Sequence, residues 1–265
     1  MQFEADDRLT DMHIVVTGGA RGIGRGIAVR CAQANADVSI FDNKPDIAAE
    51  TRDLIERTGG NASIFEVDVT DPEAVEQAVA DARAVHGPIH GLVNNAGVQH
   101  LSPILELSPE EWDFHLDVNA KGTLLCSKHC ALAMLDDEVS GSIVNIASSS
   151  ADAPHLGQGA YGASKGAVET LTISLARELG EHDITANAIK PGGVETPMYD
   201  EWAGERANLE GVPKEEILEC GHEGPPVGRI GEPADIGHMI VLLLSDEGEW
   251  VSGASIALDG GGSSL

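Results

Sequence analysis

Short apolar runs alternate along the chain with longer stretches in which apolar residues recur every three or four positions. The first run, MHIVV at 12–16, reads as a buried strand, and the segment 24–35 behind a glycine-rich turn reads as a helix. The alternation continues with DVSIF ending at Asp42 as a strand, 47–57 as a helix and NASIFEV at 61–67 as a strand. A helix at 72–85 and a strand, PIHGLV at 88–93, follow. SIVNIA at 142–147 predicts another buried strand. A helix starts at Ala160, and its apolar stripe, expected to face the core, runs through Ala163, Ala167, Leu171, Ser174, Leu175 and Leu179. The helix ADIGHMIVLLLSD (234–246) and the strand GASIALD (253–259) close the series. Strands alternating with helices over short loops predict an α/β fold, a doubly wound parallel sheet with helices on both faces. No repeat or linker divides it, so 12–265 reads as a single domain behind a polar tail, 1–11.

Two places on this scaffold carry chemistry. TGGARGIG (17–24) lies between the first strand and the first helix, with glycines at 18, 22 and 24. They permit a tight turn, close approach of backbone to ligand and close helix–strand packing, with the helix N-terminus facing a pyrophosphate. Asp42 stands eighteen residues past Gly24 at a strand end, where an acid accepts from adenosine ribose hydroxyls. Within Asp42-Asn43-Lys44-Pro45 it suits a turn equally well. The second place joins Tyr161 and Lys165, four apart and so on one helix face, with Ser148 thirteen residues before Tyr161 at a strand end. A cationic Lys165 is expected to lower the pKa of Tyr161, so that the phenol accepts a proton near neutral pH.

Charge changes the picture more than composition does. The chain has 44 Asp and Glu against 16 Lys and Arg, a net charge of -28, and only six lysines, of which Lys165 is one. Such a surface repels phosphate backbones and anionic lipid, which excludes nucleic acid and membranes as partners. The acids are scattered, as in proteins of salt-rich cytoplasm, where molar salt shortens the Debye length to ~3 Å. No run approaches the ~18 apolar residues of a membrane span, and the acidic start, MQFEADDRLTD, lacks the apolar core of a signal peptide. The expected location is the cytoplasm. Cys31, Cys126, Cys130 and Cys220 form no CxxC. Cys126 and Cys130 read as buried helix thiols rather than as metal ligands with His129, so no metal is expected.

TGGARGIG, NNAG at 94–97 and the set Ser148, Tyr161, Lys165 resemble the short-chain dehydrogenase/reductase family. NAIKPGGVETPM (187–198), PVGRIGEPADI (226–236) and the ending SIALDGGG fit it too, so the likeness spans nearly the whole chain. One small departure is Ala151, where the family often has Gly. The resemblance implies a Rossmann-like, mostly parallel sheet of about seven strands. It implies that Gly18, Arg21, Gly22, Ile23, Gly24, Asp42, Asp68, Val69, Asn95, Ala96, Gly97, Tyr161 and Lys165 line a dinucleotide site. Val194 and Thr196 would hold the carboxamide. It adds Asn119, in LDVNAKG, as a catalytic residue that passes the proton onward beyond Lys165. Substrate would meet Ser148, Ser150, His155, Gln158, Tyr161 and Glu195, although His155 reads more readily as a solvent-facing loop residue. It also implies a homotetramer, with a dimer as the alternative, and a mobile lid over about 196–224. From Glu195 to Gly224 nine acids stand against Arg206 and Lys214.

The function implied is hydride transfer between a secondary alcohol or ketone and a nicotinamide cofactor. Asp42 beside the ribose favours NAD over NADP, since it repels a 2′-phosphate that Arg21 and Lys44 would attract. Aromatic residues are 3% of the chain. With Ser150, Gln158 and Glu195, that scarcity suits a sugar, polyol or sugar acid. A 3-oxoacyl or other ketone reductase is the alternative, and a non-catalytic NAD-binding scaffold or sensor is the reading from another class.

Overall fold

The computed structural model describes residues 6–262. β1 (His13–Thr17), α1 (Gly22–Gln33), β2 (Asp37–Asp42), α2 (Pro45–Arg57), β3 (Asn61–Glu66), α3 (Pro72–His86) and β4 (Gly91–Asn94) make the first half. α4 (Pro109–His115), a π-helical turn at Leu116–Lys121 and α5 (Gly122–Asp136) then form one continuous helical run. β5 (Gly141–Ile146), α6 (Gly159–Leu179), β6 (Ile184–Pro191), α7 (Pro197–Glu210), α8 (Lys214–Glu223), α9 (Pro233–Leu244) and β7 (Ser255–Leu258) complete it. All seven strands lie parallel in one sheet, ordered β3-β2-β1-β4-β5-β6-β7. The winding reverses between β1 and β4, which opens a crevice at the strands' carboxyl ends.

Alternation along β1 builds the two layers. Ile14 and Val16 face α1 and α9 in one core, while Val15 joins Phe41, Leu92, Ile143 and the buried side of α3 and α5 in the other. Strands covered on both faces are mostly apolar, interrupted by buried polar residues such as Ser39, Asn145 and Asn187.

Two segments gain definition and one expectation changes. The tail is not free from Asp6 on: Leu9 is fully buried, its N–H donates to Ala34 O at 2.9 Å, and Asp6 pairs with Arg8 and Arg30. The stretch expected as a lid is helical, because it carries its own small core. Ala203 and Ala207 of α7 close on Ile217 of α8, and the Thr196 hydroxyl caps α7 by accepting from Tyr199 N–H at 3.1 Å. On α6 the buried face is Tyr161, Ser164, Lys165, Val168 and Thr172, whereas Ala163 and Ser174 of the expected stripe are exposed. Neighbouring polar groups turn the helix: Asn145 donates to Thr172 Oγ1 at 2.8 Å, Asn119 to Ser164 Oγ at 2.9 Å, and Lys165 to Ile146 O at 2.7 Å.

Candidate active site

A cavity of about 620 Å³ fills the crevice. At one end the glycine turn brings β1 and α1 against the end of β4. A Cβ on Gly18, where φ is 65°, would lie 2.8 Å from Ala96 Cα, and one on Gly24 would lie 2.1 Å from Gly18 O. Only glycine permits that closeness. Asn95 locks the turn by donating to Thr17 O and Gly18 O at 3.0 Å each, and the Thr17 hydroxyl accepts from Asn95 and Ala96 N–H. No side chain caps the start of α1 and no acid stands in its first turn, so its N–H groups remain available for a phosphate. Asp42 accepts from Ala20 N–H at 2.9 Å and Lys44 N–H at 3.0 Å, which fixes its carboxylate at the wall. Asp68, Val69, Ile23, Gly22, Gly97, Val194 and Thr196 line the same space. Arg21 also lines it, 3.6 Å from Glu201 of α7. Cradle, donors and acid fit a dinucleotide.

At the other end Ser148, Tyr161 and Lys165 come together. All three are nearly buried, and the Lys165 ammonium lies 5.8 Å from the centre of the Tyr161 ring. Burial pushes Lys165 down to about 8. Burial also raises Tyr161, while a hydrogen bond with Ser148 works to lower it. The lowering expected from Lys165 therefore does not outweigh desolvation in this site. Asn119 stands behind the cavity, fully buried in the π-helical turn. Its side chain accepts from Val98 N–H at 2.8 Å and donates to Val98 O, which ties the helical run to the chain leaving β4.

The substrate residues divide. Ser150 Oγ and His155 N–H both donate to Gln158 Oε1, at 3.0 and 2.9 Å, and all three residues line the cavity. Glu195 does not: it is exposed and outside the lining, because the backbone there pairs with Gly231 and turns the side chain to solvent. Phe114, Tyr199 and Trp202 line the cavity and were not singled out from the sequence. Tyr199 and Trp202, three apart just past Thr196-Pro197, would share one helix face, and that spacing was the available signal. Of nine Phe, Tyr and Trp residues in the chain, five line this one cavity, so chain-wide scarcity misleads about the site. Cys126 and Cys130 are buried free thiols, and no metal-holding cluster occurs among the described residues. No helix among them is long and apolar enough to cross a membrane.

A family model described as Enoyl-(Acyl carrier protein) reductase matches residues 18–263. The chain is 38% identical over 256 residues to a short-chain type dehydrogenase/reductase of Picea abies, covering 93% of this chain and 90% of that protein. It is 36% identical over 254 residues to a 2,5-dichloro-2,5-cyclohexadiene-1,4-diol dehydrogenase of Sphingobium indicum, covering 96% and 97%. A crystal structure assigned as a short-chain alcohol dehydrogenase of Sinorhizobium meliloti superposes with TM-score 0.90 at 34% identity, covering 98% of this chain and 99% of that one.

Proposed function

The chain belongs to the short-chain dehydrogenase/reductase family and is an oxidoreductase of that fold, and from that premise we propose that it oxidises a hydroxylated secondary alcohol with NAD. The observation that carries this reading is the meeting of Ser148, Tyr161 and Lys165 at one end of a cavity whose other end is the glycine turn and Asp42. When bound, the oxidised nicotinamide supplies a hydride acceptor. Ser148 and Tyr161 hold the carbinol oxygen between them. The hydroxyl proton passes to Tyr161 Oη as the C–H hydride leaves, which requires the phenol to be ionised first against the burial that raises its pKa, and in reverse the phenol returns it. The Lys165 ammonium stabilises the phenolate, and Ser148 donates to the oxygen as charge develops on it. Asn119 keeps the π-helical turn seated behind Lys165, on the path by which the proton leaves.

NAD is supported by the placement of Asp42 and by Glu201, which engages the guanidinium that a 2′-phosphate would need. Gln158 supports a hydroxylated substrate such as a sugar, polyol or sugar acid. Its carbonyl is held by Ser150 and His155, which leaves its amide N–H groups for a substrate oxygen. A 3-oxoacyl reductase is the second reading, favoured by the description of the matching family model. The acid-rich helices α7 and α8 beside the cavity weigh against it, because they repel the phosphates of a carrier thioester. The same reading has α7 and α8 acting as a lid, on a tetramer working in a salt-rich cytoplasm. The test is a panel of sugars, polyols and sugar acids with NAD or NADP in molar KCl, followed by absorbance of the reduced cofactor. Reduction of NAD by a hydroxylated substrate is expected. Turnover confined to 3-oxoacyl thioesters with NADPH would contradict the reading.

A further inference from the structure

Tyr199 and Trp202 of α7 stack at 5.3 Å between ring centres with 29° between planes, and His155, from the loop before α6, lies 5.7 Å from Trp202. All three line the cavity that holds Ser148 and Tyr161. The wall is set in place. A Cβ on Gly193 would lie 3.2 Å from Tyr199 Cε2, and one on Gly221 would overlap the phenol oxygen, so Tyr199 is wedged between two glycines. Arg206, which does not line the cavity, covers Trp202 with its guanidinium 5.3 Å from the ring and is paired with Glu210. The cation that an indole face attracts is thus supplied from within the chain. Burial and the nearby Arg206 hold the His155 imidazole below its ordinary pKa. The Trp202 N–H is shielded from solvent and finds no acceptor within the described residues.

We propose that Tyr199, Trp202 and His155 form a stacking wall that selects secondary alcohols whose carbinol carbon belongs to a ring, over open-chain alcohols of the same size and hydroxylation. The inference rests on the hydride-transfer reading above and names the substrate class of that site. A ring presents a flat C–H face to the negative faces of the aromatic rings. It also arrives with its torsions already fixed, whereas an open chain loses rotamer freedom when it is pressed against a wall. The hydroxyl beside the carbinol then meets the Gln158 amide.

The matched probes are cyclohexane-1,2-diol and hexane-3,4-diol with NAD, and their simple counterparts cyclohexanone and hexan-3-one for binding to the enzyme–NADH complex. Wild type is expected to prefer the cyclic diol by about tenfold in kcat/KM, the scale of one good aromatic contact. Trp202→Leu should bring the two diols within about threefold, through KM of the cyclic one, with NADH affinity retained; Trp202→Phe, which keeps a ring, should retain most of the preference. Tyr199→Leu gives the same readout should Trp202→Leu loosen α7. Equal use of both diols by wild type, or a preference that survives Trp202→Leu and Tyr199→Leu, overturns the wall. If neither diol is oxidised, the ketones decide. Tighter binding of cyclohexanone, lost in Trp202→Leu, upholds the wall and refutes hydride transfer on these alcohols, and equal binding overturns the wall.

Discussion

In the proposed cofactor site, Asp42 and Arg21 would compete over one phosphate. The Asp42 carboxylate is held at the cavity wall by two backbone N–H groups, and Arg21 is drawn 3.6 Å from Glu201. A 2′-phosphate beside Asp42 meets repulsion on the order of 1 to 4 kcal/mol at an effective dielectric between protein surface and water. Asp42→Ala should therefore raise the ratio of NADP to NAD specificity constants by about tenfold or more, measured at fixed substrate. An unchanged ratio would give the choice to Arg21 and Lys44. Asp42 was legible in the sequence because a strand, a glycine turn and a fixed interval place it. Glu195 was not, since nothing in its neighbours says which way a loop side chain turns, and the pairing with Gly231 that turns it is non-local.

Elements follow the hydrophobic pattern until a polar partner outbids it. Six of the seven strands were legible from their apolar runs, but β6 was not, because Thr185, Asn187 and Lys190 interrupt ITANAIKP. The buried face of α6 was not legible, because Thr172, Ser164 and Lys165 turn inward to Asn145, Asn119 and a carbonyl that only the assembled sheet brings near. β1 shows the same rule at its start. His13 is buried, with its ring nitrogens on Gly87 O at 3.0 Å and Ser39 Oγ at 2.8 Å, facing His86, Asp37 and His90. Burial lowers its pKa to about 4, from 6.5 when unfolded. Between those values the unfolded chain takes up a proton that the native chain refuses, so stability is full above 6.5 and falls as pH drops toward 4. His86 and His90, also lowered by burial, add with the same sign. Denaturant titrations should show a loss of about 2 kcal/mol from His13 at pH 5 relative to pH 7, and His13→Gln should flatten that slope. A stability that does not fall toward pH 5 in wild type would show that the ring is not kept neutral.

At the scale of the molecule, a net charge of -28 on 265 residues acts on every surface at once. Raising KCl from 0.1 M to 1 M shortens the Debye length from ~10 to ~3 Å and removes most of that self-repulsion. The melting temperature should rise by ~5 °C or more, the shift that about 2 kcal/mol makes in a chain of this size. Light scattering should show the proposed tetramer gaining over smaller species in the same series. Flat melting or a monomer at every salt would defeat the corresponding half. Charge was plain in the sequence because it needs no coordinates. Composition averages over the chain and so hid the aromatic lining, since only the fold gathers Phe114, Tyr199 and Trp202 into one cavity. What unites these scales is the proposal that the Tyr161 phenol exchanges a proton with a carbinol, and Tyr161→Phe removes that oxygen and little else. The most direct measurement pairs its turnover number with its NADH dissociation constant. The account predicts turnover lower by ~100 to 10,000-fold with cofactor affinity retained. Wild-type turnover in Tyr161→Phe would contradict it.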